Sequence, residues 1–197
     1  IMASFDDVEK GGNAVADVIA AGIIPAGLEM MDQPATHAVE QFVHAGYPMD
    51  AAAILLCEAD GTPEEVEEEI GRMTEVLRAA GATEFRISRD EAERLRFWSG
   101  RKAAFPAVGR ISPDYYCMDG TIPRKRVAEV LDESLFGARP NGGKADLAKL
   151  LTAVNEKNEH FFLLYLFCDK QSVLLRRHRP VLVCKVYLKY IRYNKRP

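Results

Sequence analysis

Short apolar segments alternate with amphipathic helical segments in the first 135 residues, and this alternation restricts the fold more than any other feature. The clearest apolar segment is Ala51–Gly61, a run that ends in a turn signal and is typical of a buried strand. The clearest helix follows directly, because Thr62 is a good N-cap, Pro63 suits the first helical position and Gly81 ends the segment. Elements this short cannot bury their own apolar faces, so they must pack on one another.

The same two patterns predict the other elements of this region. Strands are expected at Ile1–Phe5 and in IIPAGLEMMD, ATEFRIS and DYYCMDGTIP, and helices at Asp6 to about Ala21, from Pro34 to Gly46, from a Ser88 N-cap onward and in RKRVAEVLDESL. This order predicts an α+β fold, a ferredoxin-like two-layer α/β sandwich with an antiparallel sheet and helices on one face. After Leu135 the pattern weakens, and only ADLAKLLTAVNEKNE indicates a further helix.

Charge divides the chain as well. Residues 1–140 contain 14 Lys and Arg against 25 Asp and Glu, a net of −11, whereas residues 141–197 contain 12 against 4, a net of +8. We therefore predict a domain at residues 1–135 and a basic tail at residues 136–197. The tail is interpreted as non-native sequence that arose by truncation or a change of reading frame. The less favoured alternative is a basic surface for nucleic acid or anionic lipid, since charge alone is a nonspecific signal.

Composition bears on compartment and metal binding. No stretch approaches the roughly 18 apolar residues of a membrane span, and the first residues, IMASFDDVEK, have no basic segment followed by an apolar run, so no signal peptide is expected. The four cysteines form no Cys-x-x-Cys pair, so neither a zinc ribbon nor a disulfide scaffold is predicted. His37 and His44 are seven residues apart in a helical pattern, and we interpret them as solvent-facing or capping residues rather than metal ligands. We expect a cytoplasmic protein without a metal site.

The segment RFWSGRKAAFPAVGR crowds an indole and several cations together. Arg101 lies three positions after Trp98, so on a helix its guanidinium would project near an aromatic surface. An arginine there can hold a carboxylate through two parallel hydrogen bonds. Lys102 and Arg110 would add positive charge around the same spot, which describes an anion-binding site.

Two further expectations attach to this segment. Pro106, Gly109 and Pro113 are expected to force the chain off the helix and into a bent loop. The alternative to anion binding is that Arg101 pairs with a local carboxylate, Glu91 and Glu93 among them, and that Trp98 lies in the core.

Three motifs, taken in order, carry a resemblance to a known family. EMMD at Glu29–Asp32, the FWxxRK run at Phe97–Lys102 and DYYCMDGTIPRKRV at Asp114–Val127 resemble the C-terminal cap half of FAD-linked 2-hydroxy-acid dehydrogenases. That family includes the glycolate oxidase flavin subunit, to which FPAVGRISPDYYCMDGTIP is most similar, and D-lactate dehydrogenases. The resemblance covers approximately Ile1–Ser134.

The resemblance implies a function and a site. The arginine of the family's WxxR pattern binds the substrate carboxylate, which implies that role for Arg101, with Lys102 and Arg110 as secondary candidates and no catalytic residue. Some relatives have a lysine where this sequence has Cys117, which implies a small, singly charged substrate such as glycolate or lactate. FAD is implied as the cofactor, held by a domain that these residues do not include, so the chain is expected to be inactive alone.

The resemblance also implies partners. They are a small 2-hydroxy acid, the FAD domain or other oxidase subunits and, because the surface facing that domain would be exposed, a second copy of the chain. The alternative is a non-enzymatic ferredoxin-like module that binds a small acid or a protein and is anchored by the basic tail.

Overall fold

The structure, a computed structural model, describes residues 1–111, 115–123, 161–169 and 185–190, with side chains for residues 1–110. Its elements are β1 (Met2–Phe5), α1 (Val8–Ala20), β2 (Gly27–Asp32), α2 (Gln33–Val43), β3 (Ala53–Glu58), α3 (Pro63–Ala79), β4 (Glu84–Arg86), α4 (Glu91–Lys102), α5 (Ala104–Ile111), β5 (Tyr115–Pro123), β6 (Phe161–Asp169) and β7 (Lys185–Tyr190). Every strand and helix predicted before residue 111 is present. The helices predicted in RKRVAEVLDESL and ADLAKLLTAVNEKNE, and the loop position of Pro113, lie outside the described residues.

The described strands form one seven-stranded sheet in the order β4-β1-β3-β2-β7-β6-β5. Neighbouring strands are antiparallel throughout. The predicted α+β class with an antiparallel sheet is therefore confirmed. Strands β6 and β7 come from the predicted tail, and β7 pairs with β2 and β6 in the middle of the sheet. The division of the chain at residue 135 stays a prediction.

Within residues 1–111, the central strands of the sheet have apolar side chains on both faces. On β3, Leu55 and Cys57 belong to a core cluster with α1 and α3, whereas Ile54 and Leu56 belong to a second cluster with α2, α4 and α5. Successive strand residues point to opposite faces, so a continuous apolar strand has no polar face to leave in water. The sequence predicted helices on one face of the sheet, and the structure has these and a further helical layer on the other face.

Helix α4 begins at a different cap from the predicted one. The N-cap is Asp90, whose side chain accepts a hydrogen bond from the Glu93 N–H at 2.8 Å. The prediction of a Ser88 cap was wrong by two residues, because serine and aspartate cap equally well and the sequence SRD offers both. The carboxylate of Glu93 in turn accepts from the Arg89 N–H at 3.0 Å, which ties the loop to the first turn.

The segment after α4 is helical, and the predicted bent loop there was wrong. Helix α5 starts at Ala104, after a break at Ala103, and includes both Pro106 and Gly109. Pro106 is the third residue of this helix, where the missing N–H has no intrahelical partner to lose. The proline therefore lies in the first turn of a new helix and does not end the helical segment.

Cys57 allows a first test of the core. Its side chain is 2 % exposed, and burial raises the pKa of its thiol from 9.0 to about 11. Because the thiolate is the reactive form, we expect Cys57 to resist maleimide labelling at about pH 8 in the folded chain and to react in urea. Mass spectrometry of the Cys57 peptide measures this, and equal labelling rates in the two conditions would contradict it.

The same thiol should affect stability at high pH. Between pH 9.0 and about 11 the unfolded thiol ionises while the folded thiol keeps its proton. The unfolded state then binds fewer protons, so the free energy of unfolding should fall as the pH rises, by at most about 1.4 kcal/mol per pH unit. A Cys57→Ala variant should lack this part of the pH dependence.

Candidate functional site

The second half of α4 contacts strand β2 at two points. Gly27 and Glu29 are two residues apart on the strand and so share one face of the sheet. Trp98 lies over Gly27, where an added Cβ would be 3.0 Å from the indole Cη2. Arg101, one helical turn later, forms an ion pair with Glu29. Both contacts lie on the same face of β2, so this half of α4 packs directly on that strand.

The ion pair joins a buried carboxylate to a more accessible cation. Arg101 Nε donates a hydrogen bond to Glu29 Oε2. The Glu29 side chain is 7 % exposed and that of Arg101 is 26 % exposed. A guanidinium carries five N–H donors in a planar fork, and the Nε–H of Arg101 makes this bond. Arg101 is therefore the member of the pair that an anionic ligand can approach.

The backbone of the same helical turn is held by Tyr47, from the loop between α2 and β3. Its hydroxyl donates to the Phe97 carbonyl oxygen at 2.5 Å and accepts from the Gly100 N–H at 3.0 Å. Burial raises the pKa of Tyr47 well above its ordinary value of 10.0, so the phenol keeps its proton. A single buried side chain thus fixes the turn that carries Arg101.

The three predicted cations differ in their contacts and exposure. Arg101 lies against Glu29, whereas Lys102 is exposed and, as the next helical residue, is rotated by about 100° around the axis. Arg110 lies on α5 with its Cζ 5.5 Å from the centroid of the Phe42 ring. Lys102 is open to solvent and Arg110 packs on Phe42, so each has surroundings different from those of Arg101. A part in substrate binding stays a prediction for all three.

Among residues 1–110, the carboxylate bonded to Arg101 is that of Glu29, and not that of Glu91 or Glu93. Glu91 bonds to Arg94 at 2.6 and 2.8 Å, and Glu93 lies 3.2 Å from Arg89. Sequence reasoning missed Glu29, which is 72 positions away. The acidic end of the EMMD strand was the one signal that could have indicated it.

A cavity of about 170 Å³ lies beside the indole of Trp98. Phe97, Trp98, Glu58 and Arg94 contribute to its lining, and Arg94 Nη1 donates to Glu58 Oε1 at 2.5 Å. Pockets for drug-sized ligands start at roughly 300 Å³, and FAD is larger than such ligands. This cavity therefore does not fit FAD, and we assign none of its residues to the flavin.

The two spaced histidines have structural contacts. His44 is the C-cap of α2 in a left-handed conformation with φ 52°, and its N–H donates to the Glu40 carbonyl at 2.9 Å, which confirms the capping prediction. His37 Nε2 lies 2.7 Å from the Met49 carbonyl oxygen. Within the described part of the chain, no group of three or more His, Cys, Asp or Glu could hold a metal. The described helices include none that is long and apolar enough to cross a membrane.

Comparison with curated proteins finds three informative relatives. Glycolate oxidase subunit GlcD of Escherichia coli (strain K12) is 64 % identical over 132 residues, which is 67 % of this chain and 26 % of that protein. Glycolate oxidase subunit GlcD of Bacillus subtilis (strain 168) is 31 % identical over 131 residues, which is 66 % of this chain and 28 % of that protein. The probable mitochondrial D-lactate dehydrogenase of Danio rerio is 25 % identical over 135 residues, which is 68 % of this chain and 27 % of that protein. The chain spans about a quarter of the length of these relatives.

A solved structure and a family model complete the comparison. An alkyldihydroxyacetonephosphate synthase superposes with a TM-score of 0.52 at 9 % identity, covering 96 % of this chain and 35 % of that one, which shows likeness of fold alone. Residues 1–174 match the family model of FAD linked oxidases, C-terminal domain, and this range includes β6 as well as the three motifs. Because the match covers more than half of the chain, this protein belongs to the FAD linked oxidases, by their C-terminal domain.

Proposed function

We propose that this chain supplies the substrate-side part of a flavin-dependent oxidoreductase of small 2-hydroxy acids. The names of the relatives point to glycolate or D-lactate as the substrate. The observation that carries the proposal is the position of Arg101 in the FWxxRK run, where a buried carboxylate holds one edge of an accessible guanidinium.

Arg101 binds the carboxylate of the acid. Charge-assisted hydrogen bonds from a planar guanidinium give the substrate both affinity and a defined orientation. Orientation of the reacting carbon is the main contribution that such a residue makes to the rate. Lys102 and Arg110 are secondary candidates that raise the local positive potential and assist the approach of the anion.

The proposal extends to the role of the domain and to its partners. The strand order β4-β1-β3-β2, with α1 and α3 on one face, is the arrangement of a ferredoxin-like sandwich, which here acts as a cap on an FAD-containing domain in a cytoplasmic protein. Two relatives are named as subunits, which supports further oxidase subunits as partners. The surface that faces the FAD domain can also support self-association when that domain is absent.

Replacing Arg101 tests the proposal. In the flavin-loaded holoenzyme that contains this domain, Arg101→Met should raise the KM for the 2-hydroxy acid roughly 30-fold, because losing a hydrogen bond to a charged group costs about 2 kcal/mol. Methionine keeps the apolar stem and so the packing on β2. Steady-state dye reduction with glycolate and with D-lactate measures the effect.

The matched control is Arg96→Met on the same helix. Arg96 is exposed, so its loss should leave the KM within about twofold. A folded Arg101→Met enzyme whose KM for both acids stays unchanged would show that the arginine does not bind the substrate, and the proposal would fail.

A further inference from the structure

We infer that Glu29 is a positioning residue, which holds the Arg101 guanidinium in the orientation that the substrate carboxylate needs. The inference rests on the proposed function of Arg101 and adds a second residue to the same site. It is carried by the Nε contact, by the burial of the carboxylate and by the independent anchoring of helix α4.

The hydrogen bond between Arg101 and Glu29 controls the orientation of the guanidinium. Nε is the donor nearest the aliphatic stem, so a bond from Nε to Glu29 Oε2 defines the plane of the guanidinium as well as its position. A free arginine side chain samples many rotamers, and a ligand that binds it must select one of them. An arginine already held in one orientation loses less freedom on binding, which favours affinity.

Burial gives the carboxylate a role other than stability. Glu29 is 7 % exposed on β2, between strands β3 and β7. Taking both charges out of water is costly, and a buried ion pair is often no more stable than apolar residues of similar size. A pair in this place therefore calls for a functional reason, and the orientation of Arg101 supplies it.

Helix α4 does not depend on Glu29 for its position. Tyr47 bonds to the backbone of Phe97 and Gly100, and Trp98 packs on Gly27. These contacts hold the helical turn when the carboxylate is changed. Substitution of Glu29 should therefore act on the Arg101 side chain and leave the fold in place.

The charge of Glu29 also has an effect on substrate binding that is opposite to that of orientation. The negative charge of Glu29 also reduces the positive potential at Arg101, and in that respect it competes with the substrate. Orientation dominates if neutral replacements weaken binding, and competition dominates if they strengthen it. The two effects have opposite signs on the KM, so measurement separates them.

The test uses Glu29→Gln and Glu29→Leu in the flavin-loaded holoenzyme. Glutamine keeps an acceptor oxygen at the same reach and should raise the KM about 3-fold, whereas leucine removes the acceptor and should raise it roughly 10-fold. In the Arg101→Met background, Glu29→Leu should raise the KM much less than it does in the parent enzyme, because a positioning residue acts on the substrate through Arg101. Glu91→Gln, which alters an exposed partner of Arg94 on α4, is the control and should leave the KM unchanged.

The outcomes separate the inference from the proposed function. If Arg101→Met leaves the KM unchanged, the proposed function itself fails. If Arg101→Met raises the KM but both Glu29 variants leave it unchanged or lower it, only the positioning role is overturned. Equal effects of Glu29→Leu with and without Arg101 also overturn it, because they indicate a general structural role. Should Glu29→Leu fail to fold, the Glu29→Gln result decides.

Discussion

Replacing Gly100 by alanine should lower the free energy of unfolding by about 3 kcal/mol, a large effect for the addition of one methyl group. The new Cβ would overlap the ring and hydroxyl of Tyr47 and would lie 2.5 Å from Val39 Cγ1. Both neighbours are buried, and the Tyr47 hydroxyl is bonded to Phe97 and to Gly100 itself. Because these side chains have no free space to enter, the last turn of α4 must move away from them.

The matched control is Gly71→Ala in the middle of α3. An added Cβ there meets nothing within 4 Å, so alanine should stabilise the helix by roughly 0.5 to 1 kcal/mol. Urea unfolding followed by circular dichroism measures both variants. A Gly100→Ala chain as stable as the parent would mean that Tyr47 does not clamp this turn.

Leu55→Ala and Leu56→Ala should each lower the free energy of unfolding by about 3 kcal/mol. The two leucines are neighbours on β3 and are 0 % and 2 % exposed. They point to opposite faces of the sheet and belong to different core clusters, one with α1 and α3 and the other with α2, α4 and α5. Each truncation therefore opens a cavity in a separate core.

This pair of variants discriminates between one helical layer and two. If helices covered only one face of the sheet, one truncation would lower the free energy of unfolding strongly and the other would leave it nearly unchanged. Leu95→Ala on α4 is the control, because Leu95 is 47 % exposed and its truncation should change the stability by less than about 0.5 kcal/mol. A Leu56→Ala variant that behaves like Leu95→Ala would contradict the second layer.

Local signals explain how much of the fold could be predicted from the sequence. The Thr62 cap of α3 was predicted and is present as a reciprocal capping box with Glu65, because the geometry involves only neighbouring residues. Where two local signals compete, as at Ser88 and Asp90, the prediction was wrong by two residues. Pro106 was read as a breaker, although a proline in the first turn is compatible with a helix.

Features that depend on distant residues could not be predicted in the same way. The helices on the second sheet face and the places of β6 and β7 follow from long-range pairing, on which local periodicity carries no information. At the site, the FWxxRK run indicated Arg101, but its partner on β2 is brought close only by the fold. The burial of Glu29 gives that acidic residue its importance, and burial is a property of the assembled sheet.

The pairing of β2 with β7 sets Glu29 opposite Lys189 and has a consequence for biosynthesis. During translation the first four strands can assemble soon after they leave the ribosome, but the free side of β2 must wait until residues 185–190 have been made. For that interval the nascent chain exposes unpaired backbone N–H and C=O groups on an apolar strand, the kind of edge that invites association with other chains. We therefore expect expression of chains shortened before β7 to yield inclusion bodies, and chaperones that shield β-edges to improve recovery of the whole chain.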